Sequence, residues 1–175
     1  MLDAESMGCI SCQGTKALLK CGCCESDVCK YCAHILPEDN FSFLTEVAPE
    51  LKHEVYCPPC FNLHVSDQWD DYQATMEKAK NINVYLSNQS KETRLIKRIQ
   101  KPIKVSGCKD HDETLLRLAF QAVKAGFNGL IDVDLVSQKV KIAGYQTQTW
   151  SGKGIPVELK GHHIVKDRSI WHNPN

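Results

Sequence analysis

Eight of the chain's ten cysteines fall into four C-x-x-C steps: Cys9/Cys12, Cys21/Cys24, Cys29/Cys32 and Cys57/Cys60. Such a step lets two thiolates converge on one ion from a single tight turn. Two steps complete a tetrahedral four-cysteine zinc shell, which is saturated and therefore structural. Four steps make two shells, so two structural Zn2+ ions held by these eight cysteines are expected. Disulfides are the competing reading, and they need an oxidising compartment. The opening Met1-Leu2-Asp3-Ala4-Glu5-Ser6 is acidic and polar, without the basic and apolar regions of a signal peptide. No run approaches the roughly 20 apolar residues of a membrane span. A cytoplasmic protein with metal-bound thiolates is the expectation.

Apolar content divides the chain. Residues 1–64 hold nine of the ten cysteines. Their large apolar side chains, among them Leu18, Leu19, Val28, Tyr31, Ile35, Phe41, Phe43, Val47 and Val55, make a poor core. A segment so small needs a staple, and structural zinc contributes about 10–16 kcal/mol of apparent binding free energy to folding. Residues 82–160 hold a single cysteine and ordinary apolar alternation, so they are expected to fold without metal. The fold class read from this is α+β. A cross-braced two-zinc finger (1–64) leads through a connecting helix (65–81) to a small β-α-β-β domain (82–160) and a polar tail (161–175). Formal net charge is zero, so no global field favours nucleic acid or a membrane surface.

The spacing C-x2-C-x8-C-x2-C-x4-C-x2-C-x24-C-x2-C leaves the third step free to swing back to the first. Cys9, Cys12, Cys29 and Cys32 would then share one ion, and Cys21, Cys24, Cys57 and Cys60 the other. Interleaving closes longer loops and ties a core-poor segment together. A sequential arrangement, first step with second and third with fourth, is the alternative.

The run Cys21-x-x-Cys24-x4-Cys29-x-x-Cys32, with a C-x-x-C on each side, resembles the FYVE zinc-finger superfamily, whose ions are cross-braced. Its phosphoinositide-binding members carry a basic R-[RK]-H-H-C-R block, matched here only by Leu18-Leu19-Lys20-Cys21-Gly22-Cys23-Cys24. The upstream W-x-x-D element is absent, and Glu54-Val55-Tyr56-Cys57 stands where R-V-C is expected. A phosphate site needs several converging cations, so the resemblance implies the zinc scaffold rather than the lipid site. A RING-type ubiquitin ligase would place a histidine among its central ligands, and none lies between Cys12 and Cys32. His34 and His53 read as surface residues. Cys23 reads as a bystander, with replacement of Cys21 or Cys24 as the alternative. Leu18 and Leu19 read as packed between the zinc knuckles, with an exposed membrane tip as the alternative.

Beyond the finger, Ser66 reads as the cap of a helix to about Lys80, with Trp69, Tyr72, Met76 and Ala79 on one stripe. Ile82, Val84 and Leu86 read as a strand, and 88–92 as a loop. The basic run of Arg94, Lys97, Arg98 and Lys101 reads as a solvated face, and no aromatic interleaves it as nucleic-acid binding would need. Residues 110–126 are the clearest helix, capped by Asp110 or Asp112 and ended by Gly126. Leu115, Leu116, Ala119, Ala122, Val123 and Phe127 line its inner side. Strands follow at 130–136 and 140–150, separated by a turn at Ser137-Gln138-Lys139. Gly152 and Gly154 read as breakers before an edge strand at 155–159.

Ala122-x3-Gly126-Phe127-Asn128-Gly129-Leu130-Ile131-Asp132-Val133-Asp134, with Gly144-Tyr145 and Gly152-x-Gly154-x-Pro156-Val157, resembles the YbjQ-like family. That resemblance implies a small α+β unit that assembles into rings, and heavy-metal binding. Cys108 with His111 could supply half of a soft-metal site, but two ligands are too few alone. Asp132 and Asp134 could do acid–base or metal work, although solvent-facing carboxylates are the simpler reading; His162 and His163 are adjacent in the tail, so they would point different ways and read as poor ligands. No nucleophile–base constellation or phosphate loop is visible. The functional expectation is a non-enzymatic protein–protein interaction or regulatory module, with an unidentified protein partner and self-association through the C-terminal domain. Phosphoinositide or membrane-surface binding by the finger, and heavy-metal handling by the C-terminal domain, are the alternatives.

Overall fold

A computed structural model describes residues 8–142 and 144–160. The chain divides into two units between Gln73 and Ala74.

The first unit contains two small antiparallel ladders, β1 (Leu19–Lys20) with β2 (Asp27–Val28) and β3 (His34–Ile35) with β4 (Val55–Tyr56). A helical run follows: α1 (Pro58–Cys60), a π-helical turn (Phe61–Val65) and α2 (Ser66–Lys80), which crosses the division between the units. The run starts at Pro58 because Cys57 takes the extended cap conformation (φ −74°, ψ 156°). The two prolines after it have backbone geometry preset for a first turn whose amides lack helical partners. Ser66, expected as a cap, instead lies inside the run with helical angles (φ −50°, ψ −56°).

The core of this unit is aromatic. Phe41 and Tyr56 are fully buried. Trp69 and Tyr72 stack at 6.1 Å, and both meet the Phe41 ring edge-on, at 5.5 and 5.2 Å. The Tyr56 hydroxyl donates to the Glu50 carbonyl (3.0 Å) and accepts from the His53 amide (3.1 Å). Leu36 and Leu51 are buried as well, whereas Leu18, Tyr31 and Ile35 are exposed.

The second unit is a four-stranded mixed sheet in the order β5-β7-β8-β6. Strand β5 (Asn83–Leu86) runs parallel to β7 (Gly129–Ile142), and β8 (Tyr145–Val157) runs antiparallel to both β7 and β6 (Ile103–Cys108). A short helix α3 (Ser90–Thr93) stands where a loop was expected, and α4 (His111–Lys124) precedes β7. The Asp110 carboxylate caps α4 by accepting from the Glu113 amide (2.7 Å), and Gly126 follows its end at φ +87°. The buried face of α4 is Thr114, Leu115, Leu118, Ala119, Phe120 and Ala122. Leu118 and Phe120 thus replace Leu116 and Val123 of the expected stripe. On another part of the sheet Tyr85, Ile131 and Val157 cluster with Ile155 and Leu159.

The strands after α4 depart from expectation. No turn occurs at Ser137-Gln138-Lys139; β7 continues to Ile142, and β8 returns without a break through Gly152 and Gly154. Both glycines serve close packing. A Cβ on Gly152 would stand 2.7 Å from Leu135 Cδ2, 2.9 Å from Thr114 Cγ2 and 3.0 Å from Leu118 Cδ1, so the missing side chain lets α4 approach the sheet. Gly152→Ala is expected to cost about 1–3 kcal/mol through overpacking, offset by about 0.4–1 kcal/mol from a stiffer unfolded chain. A lowered guanidinium midpoint with an unchanged slope is the expected readout, and an unchanged midpoint would mean the neighbours yield freely.

Candidate metal centres

Each C-x-x-C step is built on the same local turn. The amide four residues on donates to the carbonyl of the first cysteine: Gln13 to Cys9 (2.7 Å), Glu25 to Cys21 (2.9 Å), Ala33 to Cys29 (2.9 Å) and Phe61 to Cys57 (2.9 Å). This turn brings the two sulfurs of a step to one side. In the first two steps the chain then leaves through a left-handed residue, Gln13 (φ 57°) and Glu25 (φ 59°), which reverses it into the next segment. In the fourth step the turn is instead the first turn of the helical run, with Cys57 as its cap.

Four such turns bring together two sulfur quartets. Cys9, Cys12, Cys29 and Cys32 form one, Cys21, Cys24, Cys57 and Cys60 the other, and within each the ligand atoms lie within 4.8 Å of one another. The grouping is interleaved. One member is exposed and two are buried in each quartet. Two cross-step pairs, Cys12–Cys29 and Cys24–Cys57, have Sγ–Sγ distances of 3.7 Å. All ten cysteines are free thiols. A tetrahedral zinc with Zn–S bonds near 2.3 Å sets its sulfurs about 3.8 Å apart, so the quartets have the dimensions of that shell.

Their electrostatics ask for a cation. The amides of Cys12 and Cys29 pull the Cys9 thiol down to about 6, while the Cys29 and Cys12 sulfurs push Cys32 up to about 12. In the second quartet the hydroxyl and amide of Ser26 pull Cys24 down to about 6, and burial together with the Cys57 and Cys24 sulfurs raises Cys60. In each set a thiol that is pulled down accepts charge readily and makes further deprotonation harder. Four thiolates so close are stable only around a positive ion, and soft thiolates in tetrahedral array suit zinc. The Ser26 contribution had no motif to announce it.

Cys23 stands outside the quartets. Its Sγ lies 3.7 Å from the Glu50 carbonyl, and burial followed by the nearby sulfurs raises its thiol. Cys23→Ser is expected to retain two metal ions per chain, with a stability change within about 1 kcal/mol. Cys24→Ser is expected to lose metal. Native mass spectrometry reads both, and metal loss from Cys23→Ser would place that sulfur in a shell.

The histidines do other work. His34 stacks on Phe61 at 4.0 Å, and the His53 ring packs where a Gly22 Cβ would fall, 2.3 Å from its Cγ. Leu18 is a correction: it does not pack between the knuckles but stands 89% exposed beside Tyr31 (86%). With Lys16, Leu19 and Lys30 these two line a recess of about 400 Å³. Of the two leucines, it is Leu19 that packs against the cysteine core, with Ala17, Ala33 and Val55.

In the second unit the described candidate ligands form no group of three or more. Cys108 is buried, while His111 binds Asp112 (3.0 Å) and meets Trp150 edge-on. Among the described residues no third ligand joins them. Asp132 is held by Arg98 (2.5 and 2.9 Å), which also reaches the buried Thr93, and Asp134 pairs with Lys153 (3.2 Å). The two carboxylates are thus neutralised by separate cations, and Arg98 of the basic run is structural. His162 and His163 lie outside the described residues. No helix among the described residues is long and apolar enough to cross a membrane.

Comparison with known protein families, with curated proteins and with solved structures gives no match.

Proposed function

We propose that the chain is a zinc-stabilised, non-enzymatic protein–protein interaction or regulatory module of the cytoplasm, in which a FYVE-like, cross-braced two-zinc finger precedes a small α+β domain. The observation that carries this reading is the pair of closed quartets: four sulfurs converge at each centre. A shell of four cysteines leaves no position for water or substrate, so the metal it holds is structural. The residues that would hold zinc are the eight cysteines, and zinc would supply folding free energy. The YbjQ-like resemblance supports self-association of the C-terminal domain.

Substitution of cobalt for zinc tests the reading. Two equivalents per chain, each with the intense thiolate-to-metal absorption of a tetrahedral four-sulfur site and no change on adding azide or cyanide, are expected. A spectrum that responds to added anions would reveal an open coordination position and favour an enzyme.

A second reading has its own support. Leu18 and Tyr31 are exposed beside Lys16 and Lys30, the apolar-plus-cationic combination that suits an anionic lipid surface. Co-sedimentation with anionic vesicles, with and without a phosphoinositide, decides it. Binding abolished by Leu18→Ser with zinc retained would favour the membrane reading over the protein-partner one.

A further inference from the structure

The hairpin of β7 and β8 outruns its sheet. Strand β5 pairs with β7 no further than Val133, and β6 pairs with β8 only from Trp150 to Gly154. From Gln138/Thr149 to Ile142/Tyr145 the two strands pair only with each other among the described residues. A two-stranded ribbon in water is at best marginally stable, and this one is exposed, with Tyr145 at 81%.

Its two outer edges differ. The β7 edge carries Lys139 and Lys141, the charges by which proteins protect an open strand. The β8 edge, Tyr145-Gln146-Thr147-Gln148-Thr149, has no charge and no proline. The ladder also fixes which way its backbone points. Two residues of sequence separate Ile142 from Tyr145, the last pair of the ladder and the hydrogen-bonded closure of so short a connection, and the register then continues through Val140/Thr147 and Gln138/Thr149. Hydrogen-bonded pairs alternate along an antiparallel ladder, so Gln146 and Gln148 turn their N–H and C=O groups away from β7. Pro156 shares that phase, and its missing N–H faces the side where β6 has already ended at Ile103/Gly154.

We infer that this edge pairs with the same edge of a second copy of the chain. The segment is complementary to itself. In antiparallel pairing about a two-fold axis through Thr147, Gln146 faces Gln148 of the second copy in both directions, and Tyr145 faces Thr149. The outward backbone groups then form four hydrogen bonds, and the two sheets become one continuous sheet. The β7 edge is barred from this, because a two-fold axis through Val140, the position paired with Thr147, sets Lys139 against Lys141 of the second copy, and like charges directly opposite destabilise a strand pair. The inference rests on the proposed self-association of the C-terminal domain and gives it a surface, and it is independent of the zinc reading, since no cysteine ligand takes part.

Sedimentation velocity of the full-length, zinc-loaded chain over a range of micromolar concentrations tests it. A reversible dimer is expected. Thr147→Lys puts two ammonium groups on the axis, and Gln148→Pro removes two of the four hydrogen bonds without touching the β7 ladder. Each is expected to raise the dimer dissociation constant roughly tenfold or more, whereas Lys139→Ala leaves it unchanged. Hydrogen-exchange protection of α4 verifies that the variants are folded. A monomer at every concentration, or a dimer indifferent to both β8 variants, overturns the inference. So does a dimer lost on zinc chelation while α4 stays protected, which would place the contact in the finger.

Discussion

Chelation of zinc unfolds residues 9–60 while α4 and the β7–β8 sheet keep their hydrogen-exchange protection; this is the expected outcome of treating the intact chain with a strong chelator. Structural zinc contributes on the order of 10–16 kcal/mol per site, and a whole domain is stable by only about 5–15 kcal/mol. The interleaved quartets add a sharper expectation. The segment from Cys21 to Cys24 lies inside the loop that the first ion closes, and Cys29 and Cys32 lie inside the loop that the second closes. Losing one ion therefore loosens the loop that positions the other. Cys57→Ser removes a fully buried ligand that is also the helix cap, and it is expected to lower occupancy at both sites. Native mass spectra should then show chains with two ions or none, and few with one. A dominant one-zinc species, with Cys9–Cys32 still protected from exchange, would show that the centres fold independently.

Phe41→Ala is expected to cost about 3–5 kcal/mol, the range for emptying a buried aromatic site. The ring is fully buried and is the seat on which Trp69 and Tyr72 meet. Phe41 also sits at φ +57°, a conformation that costs a residue bearing a Cβ roughly 1–2 kcal/mol relative to right-handed backbone. The alanine variant keeps that strain and loses the burial that offsets it. Phe41→Gly loses the ring but relieves the strain, so it should be the less damaged of the two. Guanidinium unfolding of the zinc-loaded protein measures both, with a red shift of Trp69 emission as the local signal. Equal losses would mean that the backbone strain there is negligible.

The parts of this fold visible in the sequence are those set by short-range chemistry. The C-x-x-C turns need only local backbone geometry, and Asp110 and Gly126 bound α4 by cap and stop signals that carry their own mechanism. Pairing of the steps was open between two arrangements until the chain path was known. What escaped depended on tertiary context. The helix was expected to begin at Ser66, yet after an extended Cys57 the helical run starts at Pro58. Ser137-Gln138-Lys139 is polar enough to look like a turn, but it belongs to a ribbon wet on both faces, where no alternation marks a strand. Gly152 was read for its lack of a side chain in the backbone, when its importance is the helix that lies over it. Leu18 was expected between the zinc knuckles, but a segment with so little interior leaves it exposed.

The order of the ligands along the chain has a consequence for biosynthesis. All four ligands of the first quartet have been made once Cys32 is in place, but the second quartet waits for Cys57 and Cys60. On a ribosome that adds residues from the N-terminus at roughly 5–20 per second, the nascent finger passes through a stage with one complete sulfur set and two orphan thiolates at Cys21 and Cys24. With an ion bound by the first quartet, those thiolates would be confined within the loop it closes. They meet their partners only when the start of the helical run emerges, so the last C-x-x-C acts as a latch, and a chain truncated before Cys57 carries an exposed pair of thiols in place of a second centre.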